Sequence, residues 1–211
     1  MKEHNYPAEI ESKLFPGNTG YIRINNRLWD NNIIALFDSV LQTLKNAQSL
    51  ILDLRETPSG GNTTVARAIL GSFIQKENFY QKHELAAEER QHGIKRSWLE
   101  LVTPRNYVYK RRLVILVNHW TGSVAEGITI GFDAFRRATI IGTEMARLNG
   151  AIYSYEMPFS KISFSVPVEK LFHVNGTPRE KFVPGITVDL SKQREGEDAI
   201  LLRALAILKA K

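Results

Sequence analysis

A serine set between a buried strand and the first turn of a helix is poised for nucleophilic chemistry. Ser123 holds such a position, after the polar turn Asn118-His119-Trp120-Thr121-Gly122 and before Val124. There the hydroxyl is exposed, unpaired N–H groups of the first helical turn surround it, and the positive dipole end favours a nearby anion. The chemistry would be attack on a carbonyl, with the Val124 N–H as one donor to the oxyanion. Read alone, Ser123-Val124-Ala125-Glu126 favours a plainer role, a capping box at a helix start. A second candidate is the Pro58-Ser59-Gly60-Gly61-Asn62 turn. Its glycines allow close backbone approach, so an N–H of Gly60 or Gly61 could be the other oxyanion donor, or the turn could be only tight.

A base is harder to find. His4 lies near the terminus, His83 and His92 in a charged stretch, His119 just before the serine, and His173 after Lys170-Leu171-Phe172. Each reads more readily as a surface or partly buried structural residue than as a base. Asp53 and Arg55 read as a strand-end ion pair. No histidine–carboxylate spacing points to a metal, and no phosphate loop is present.

The elements that must position these residues alternate. Tyr21 to Ile24 reads as a strand, and Asn31 to Leu44 carries apolar residues at helical spacing. Ser49 to Leu54 is a compact apolar run typical of a strand buried on both faces, and Thr64 to Ile74 is helical. Residues 75–110 are charged and lack clean periodicity, which predicts an insertion packed over the core, a candidate lid. Leu113 to Val117 is a second buried strand, leading through the Ser123 turn into a helix over 124–135. Thr139 to Ile141 forms a strand ending at Gly142. Ala151 to Glu156 and Lys161 to Val166 alternate around Pro158 and predict an antiparallel hairpin. The chain closes on an amphipathic helix over 197–208. This is an α/β pattern, with residues 1–19 expected as a loose N-terminal extension and 20–208 as the core domain.

The 211 residues suit one large domain. With 43% hydrophobic residues a core is assured, and no run approaches the ~20 apolar residues of a membrane helix. Met1 to Pro7 is polar, so no signal peptide is expected within this chain. The absence of cysteine excludes disulfides, a thiol nucleophile and thiolate zinc sites. The net charge of +6 is read as a solvated surface, since no nucleic-acid-binding motif accompanies it.

Leu52-Asp53-Leu54-Arg55, the Pro-Ser-Gly-Gly turn, Val117-Asn118, Thr121-Gly122-Ser123-Val124-Ala125-Glu126 and Ile141-Gly142 follow one another in an order that resembles the tail-specific (C-terminal processing) serine peptidases. Pro184-Gly185-Ile186-Thr187-Val188-Asp189 and Gly196-Glu197-Asp198 extend the resemblance over about 20–208. It implies the Clp-protease/crotonase-like superfold of strand-strand-helix units. It also implies Ser123 as nucleophile, and an oxyanion hole from Val124 with Gly60 or Gly61.

One branch of that family carries a lysine in a Gly-Lys-Gly-like segment. The matching stretch here, Glu144 to Gly150, has none, and Arg147 cannot act as a base. The resemblance therefore points to the tricorn-like branch, with a histidine from an N-terminal helical region, a supporting second serine and a distant glutamate, matched here by Glu180. Glu180 also reads as a solvated charge between Arg179 and Lys181. No histidine matches, so the base is expected upstream of this chain, which alone would be a weak enzyme.

The expected function is a serine endopeptidase core. It would cleave peptides or unfolded proteins near flexible C-termini without a cofactor, at the cell envelope if the resemblance extends to the parent protein. The alternatives are a non-catalytic peptide-binding domain of the same fold and a crotonase-like acyl-thioester enzyme. The serine at the helix start argues against the last.

Overall fold

The computed structural model describes residues 8–209; residues 1–7, with His4 and the stretch read for a signal peptide, lie outside it. Two sheets and their helices make up the described chain. The first sheet has strand order β1 (Ile10–Phe15), β2 (Thr19–Asn25), β3 (Ser49–Glu56), β6 (Arg112–Val117), β7 (Thr139–Gly142) and β10 (Ile186–Thr187). All neighbours are parallel except β1, which is antiparallel to β2.

The central strands read as continuous apolar runs because both their faces are covered. Leu50, Leu52 and Leu54 of β3, with Leu113, Ile115 and Val117 of β6, point into one core cluster. There they meet α1 (Ile33–Thr43), α2 (Thr63–Gly71) and α4 (Val124–Ala134) through residues such as Phe37, Ile69 and Ile128. The alternate residues Ile51, Val114 and Leu116 pack on the other face against Ile200 and Ala204 of α5 (Ala199–Lys209).

The second sheet is antiparallel, in the order β5 (Ser97–Val102), β4 (Asn78–Leu85), β9 (Ser163–Phe172) and β8 (Gly150–Glu156). It lies against α4 through Tyr80, whose Cβ is 3.0 Å from the position a Cβ on Gly131 would take. The β8–β9 hairpin matches its alternating sequence.

One expectation needs correction and another needs refining. Residues 10–15 are not part of a loose extension; they pair with β2 in register from Ile10↔Ile24 to Phe15↔Thr19. Between the buried Ile10 and the half-buried Phe15 this edge strand is solvated, so it carries little apolar periodicity. Residues 75–110, which lack clean periodicity in the sequence, are regular: they contribute β4, α3 (Ala86–His92) and β5, packed on the core through Tyr80 and Val102. Their periodicity is obscured because β4 buries Gln81 and His83 beside Tyr80.

Candidate active site

β3 and β6 are adjacent parallel strands, so the turns leaving their C-terminal ends lie side by side, where open α/β sheets place their sites. Hydrogen bonds lace the two turns together. Gly122 N–H donates to Thr57 O (3.2 Å), and the Thr121 hydroxyl to Leu54 O (3.0 Å). A Cβ on Gly122 would stand 2.7 Å from Pro58 O, so only glycine permits this approach.

Ser123 follows with φ 52° and ψ −110°, a conformation sparsely populated by residues with a Cβ. It is therefore no ordinary N-cap, whose backbone is extended. Backbone strain of this kind costs about 1–3 kcal/mol and persists only where the surroundings over-determine it. Glu126 does much of that. Its Oε2 accepts the Ser123 N–H at 2.8 Å, and its Oε1 accepts the Leu148 N–H at 3.3 Å. Glu126 is fully buried, which pushes its carboxyl above the usual range, opposed by Arg179 at 3.6 Å and these N–H donors. The Arg179 guanidinium, almost as buried and lowered by burial, also donates to Leu148 O at 2.9 Å.

The glycine turn presses on the serine. A Cβ on Gly60 would lie 2.4 Å from Ser123 Cβ and 2.7 Å from Oγ. Gly60 N–H reaches Thr57 O at 3.5 Å, whereas Gly61 N–H has no acceptor among the described residues. Gly61 also lies against Leu28 O, 2.2 Å from where its Cβ would be. Of the two, Gly61 is the donor left free, and with Ser59, Ser123 and Val124 it lines a cleft of about 260 Å³.

The opposite wall comes from the second sheet. The Gln81 amide faces Gly127, one helical turn beyond Ser123, while Tyr80 faces Gly131. Moving along β4 from Tyr80 to His83 is thus moving along α4 toward Ser123, and His83 lines the same cleft. His83 Nδ1 lies 2.7 Å from Glu169 Oε2, Nε2 lies 3.1 Å from Glu100 Oε2, and Trp98 stacks on the ring at 4.9 Å. Tyr153 donates to the same Glu169 carboxylate, so this network joins all four strands of the sheet. Burial works against the imidazolium, but the two carboxylates outweigh it and raise the His83 pKa. Burial also opposes Glu100 ionisation, yet His83, Tyr80 and Gln81 bring its carboxyl down to about 2. Both ring nitrogens of His83 are therefore engaged, Nδ1 by Glu169 and Nε2 by Glu100 and the Gln81 amide at 3.0 Å, and neither is left open to the cleft.

The other expected residues are dispersed. Glu180 is half-buried on the turn Arg179–Lys181, next to Arg179 but outside the lining of the cleft. His119 is exposed beside Trp120. His173 lies 3.3 Å from Asp133 at the far end of α4 from Ser123. Asp53 and Arg55 form the expected ion pair at 2.7 Å, and Arg55 also grips Asp198 at 2.7 Å, tying the start of α5 to the end of β3. Arg147 adopts φ 60° and is engaged by Glu144. Sequence reasoning missed His83, Gln81 and Arg179 as cleft residues. The one available signal was a histidine alternating with Gln81 in a charged stretch.

The model of peptidase family S41 matches residues 18–191. The chain belongs to peptidase family S41. Members are serine-type hydrolases acting on peptides or proteins, and the match spans both turns of the cleft. The fold agrees. A peptidase structure from Parabacteroides merdae superposes with a TM-score of 0.77 at 18% identity, covering 99% of this chain and 68% of that one. The photosystem II D1 C-terminal processing protease gives 0.70 at 16%, over 86% and 48%. Mature CPAF gives 0.67 at 16%, over 84% and 49%. The S41 chain thus spans about half the length of the last two. No helix among the described residues is long and apolar enough to cross a membrane.

Proposed function

We propose that this S41 chain is a serine endopeptidase core that cleaves flexible polypeptide near C-termini by acyl transfer, with Ser123 as nucleophile. The observation that carries the reading is the strained Ser123 turn held against a glycine turn with an unused N–H. Ser123 Oγ attacks the scissile carbonyl and the π pair moves onto oxygen, where the Val124 and Gly61 N–H groups stabilise it. Collapse expels the amine, which takes up the proton, and water then releases the acyl group. Glu180, beside Arg179, orients the group that assists the base.

The base itself is supplied from outside the described residues, as in the tricorn-like branch. Three features support this: the stretch 144–150 holds no lysine, Arg147 is bound to Glu144, and His83 faces two carboxylates. A serine without a base is a weak nucleophile, and an oxyanion hole with binding leaves about 10³–10⁴-fold over water. Turnover of a flexible peptide by the chain alone should therefore be slow and should vanish in Ser123→Ala. Supplying a helical segment that carries a histidine base should raise turnover by orders of magnitude. Full activity in the chain alone would overturn the outside base. No serine-dependent turnover in either form would favour a peptide-binding domain without catalysis, the reading that the engaged His83 also supports. A cell-envelope location fits this function, and one similar structure is a lipoprotein from Streptococcus agalactiae.

A further inference from the structure

The sheet face that looks at Ser123 continues beyond the cleft. His83 pairs with Leu171 and Ala151 with Glu169. Two and four residues past Ala151, on the same face of β8, come Tyr153 and Tyr155, opposite Val166 and Phe164. These four side chains are 39–45% exposed, and the Tyr155 and Phe164 rings stack at 5.7 Å. Ser163 and Ser165 occupy the alternate face. Beyond the register shift at Ala151 the hairpin keeps a period of two, yet its apolar side is solvated, whereas a solvated face is ordinarily the polar one. Alongside it, Ala86 and Ala87 of α3 leave a groove of about 540 Å³.

The charge of this groove is one-sided. Arg90 and Lys170 line it, both exposed, and neither has an ion-pair partner among the described residues. The one acid in its lining, Glu169, is buried and already bound by His83 and Tyr153. Glu169 also places the groove next to the cleft, because His83, 2.7 Å away, lines the cleft wall.

We propose that this groove is an exosite for the substrate polypeptide, taking an extended apolar stretch that carries Asp or Glu side chains on the same chain as the scissile bond. The apolar face supplies the burial, and the two cations select the acids. A second copy of the chain is the poorer occupant, since it would bring Arg90 and Lys170 of both copies together on a chain of net charge +6. The proposal rests on the peptidase reading for the origin of the peptide, not for the binding itself.

The test uses the Ser123→Ala chain and fluorescence anisotropy. One probe is an unstructured peptide of leucine, phenylalanine and glutamate; a second has each glutamate replaced by glutamine, and a third by lysine. The glutamate peptide should bind at least tenfold tighter than the glutamine peptide, with an affinity that falls as salt rises. Arg90→Glu with Lys170→Glu should remove that preference and favour the lysine peptide, and Phe164→Ser should weaken every probe. Equal binding of the glutamate and glutamine peptides, or no effect of the double variant, would overturn the exosite. So would binding that survives glutamine but is lost on C-terminal amidation, or a self-association through this face that excludes peptide. Turnover of a peptide too short to reach the groove, measured with Ser123 intact and the base supplied, separates the two readings. It should be unchanged in the double variant, and its absence in every form would sink the peptidase reading while leaving peptide binding to be judged separately.

Discussion

Gly60 and Gly93 share a φ of +69°, but they differ in what a side chain would meet. At Gly93 nothing lies within 4 Å of an added Cβ; at Gly60, Ser123 Cβ is 2.4 Å and Oγ 2.7 Å away. Gly93→Ala therefore reports the left-handed backbone alone, which costs an L-residue about 1–2 kcal/mol. Gly60→Ala adds a steric conflict with Ser123 itself. Over-packing of this kind costs roughly 1–3 kcal/mol more, for a total of about 2–5 kcal/mol. The conflict can be relieved only by moving one of two turns that are hydrogen-bonded to each other. A shift of ~1 Å at a reacting group is worth about 10²-fold in rate. Urea denaturation should show Gly60→Ala as the less stable variant. The rate at which a fluorophosphonate labels Ser123, per folded molecule, should fall about 10²-fold in Gly60→Ala and stay unchanged in Gly93→Ala. Wild-type labelling in Gly60→Ala would refute the claim that the glycine turn is pressed against the serine.

Ser123→Gly should be more stable than Ser123→Ala by roughly 1 kcal/mol in urea melts, because glycine alone adopts φ 52° without strain. Glu126→Ala strands the buried Arg179 cation and should cost about 3–5 kcal/mol; Glu126→Gln, which keeps an acceptor, should cost less, and equal losses would count against the ion pair. His83 has a raised folded pKa, so its contribution to stability is complete below the unfolded value, near 6.5, and is lost as pH rises through the folded one. Glu100 is lowered to about 2, so its contribution is present above its ordinary value near 4.5 and is lost as pH falls toward 2. Urea midpoints followed across pH should show both limbs, and His83→Gln should erase the alkaline one.

Much of the first sheet was legible in the sequence because it is encoded locally. Buried parallel strands must be apolar on both faces, so Leu50 to Leu54 and Leu113 to Val117 announce themselves. A serine at a strand-to-helix turn is likewise a short-range pattern, and Gly122, Ser123 and Glu126 are neighbours in the chain. The capping-box reading of Ser123 to Glu126 captured half of what Glu126 does, its bond to the Ser123 N–H. The other half depends on Leu148 and Arg179, which only the fold brings to it.

The second sheet shows why the rest stayed hidden. Its buried polar side chains satisfy one another across strands far apart in sequence. Glu100, His83, Glu169 and Tyr153 form one network, and each alone looks like a solvated charge or an idle ring. Hydrophobic periodicity reports burial only when the buried residues are apolar, and here a wall of the cleft is not. The turn that carries Ser123 and the glycine turn were thus legible in local sequence, where Ser123 to Glu126 read first as a cap, while the far wall of the cleft was decided by strand pairing. That pairing is set by the summed fit of two sheets around α4 and not by any one segment.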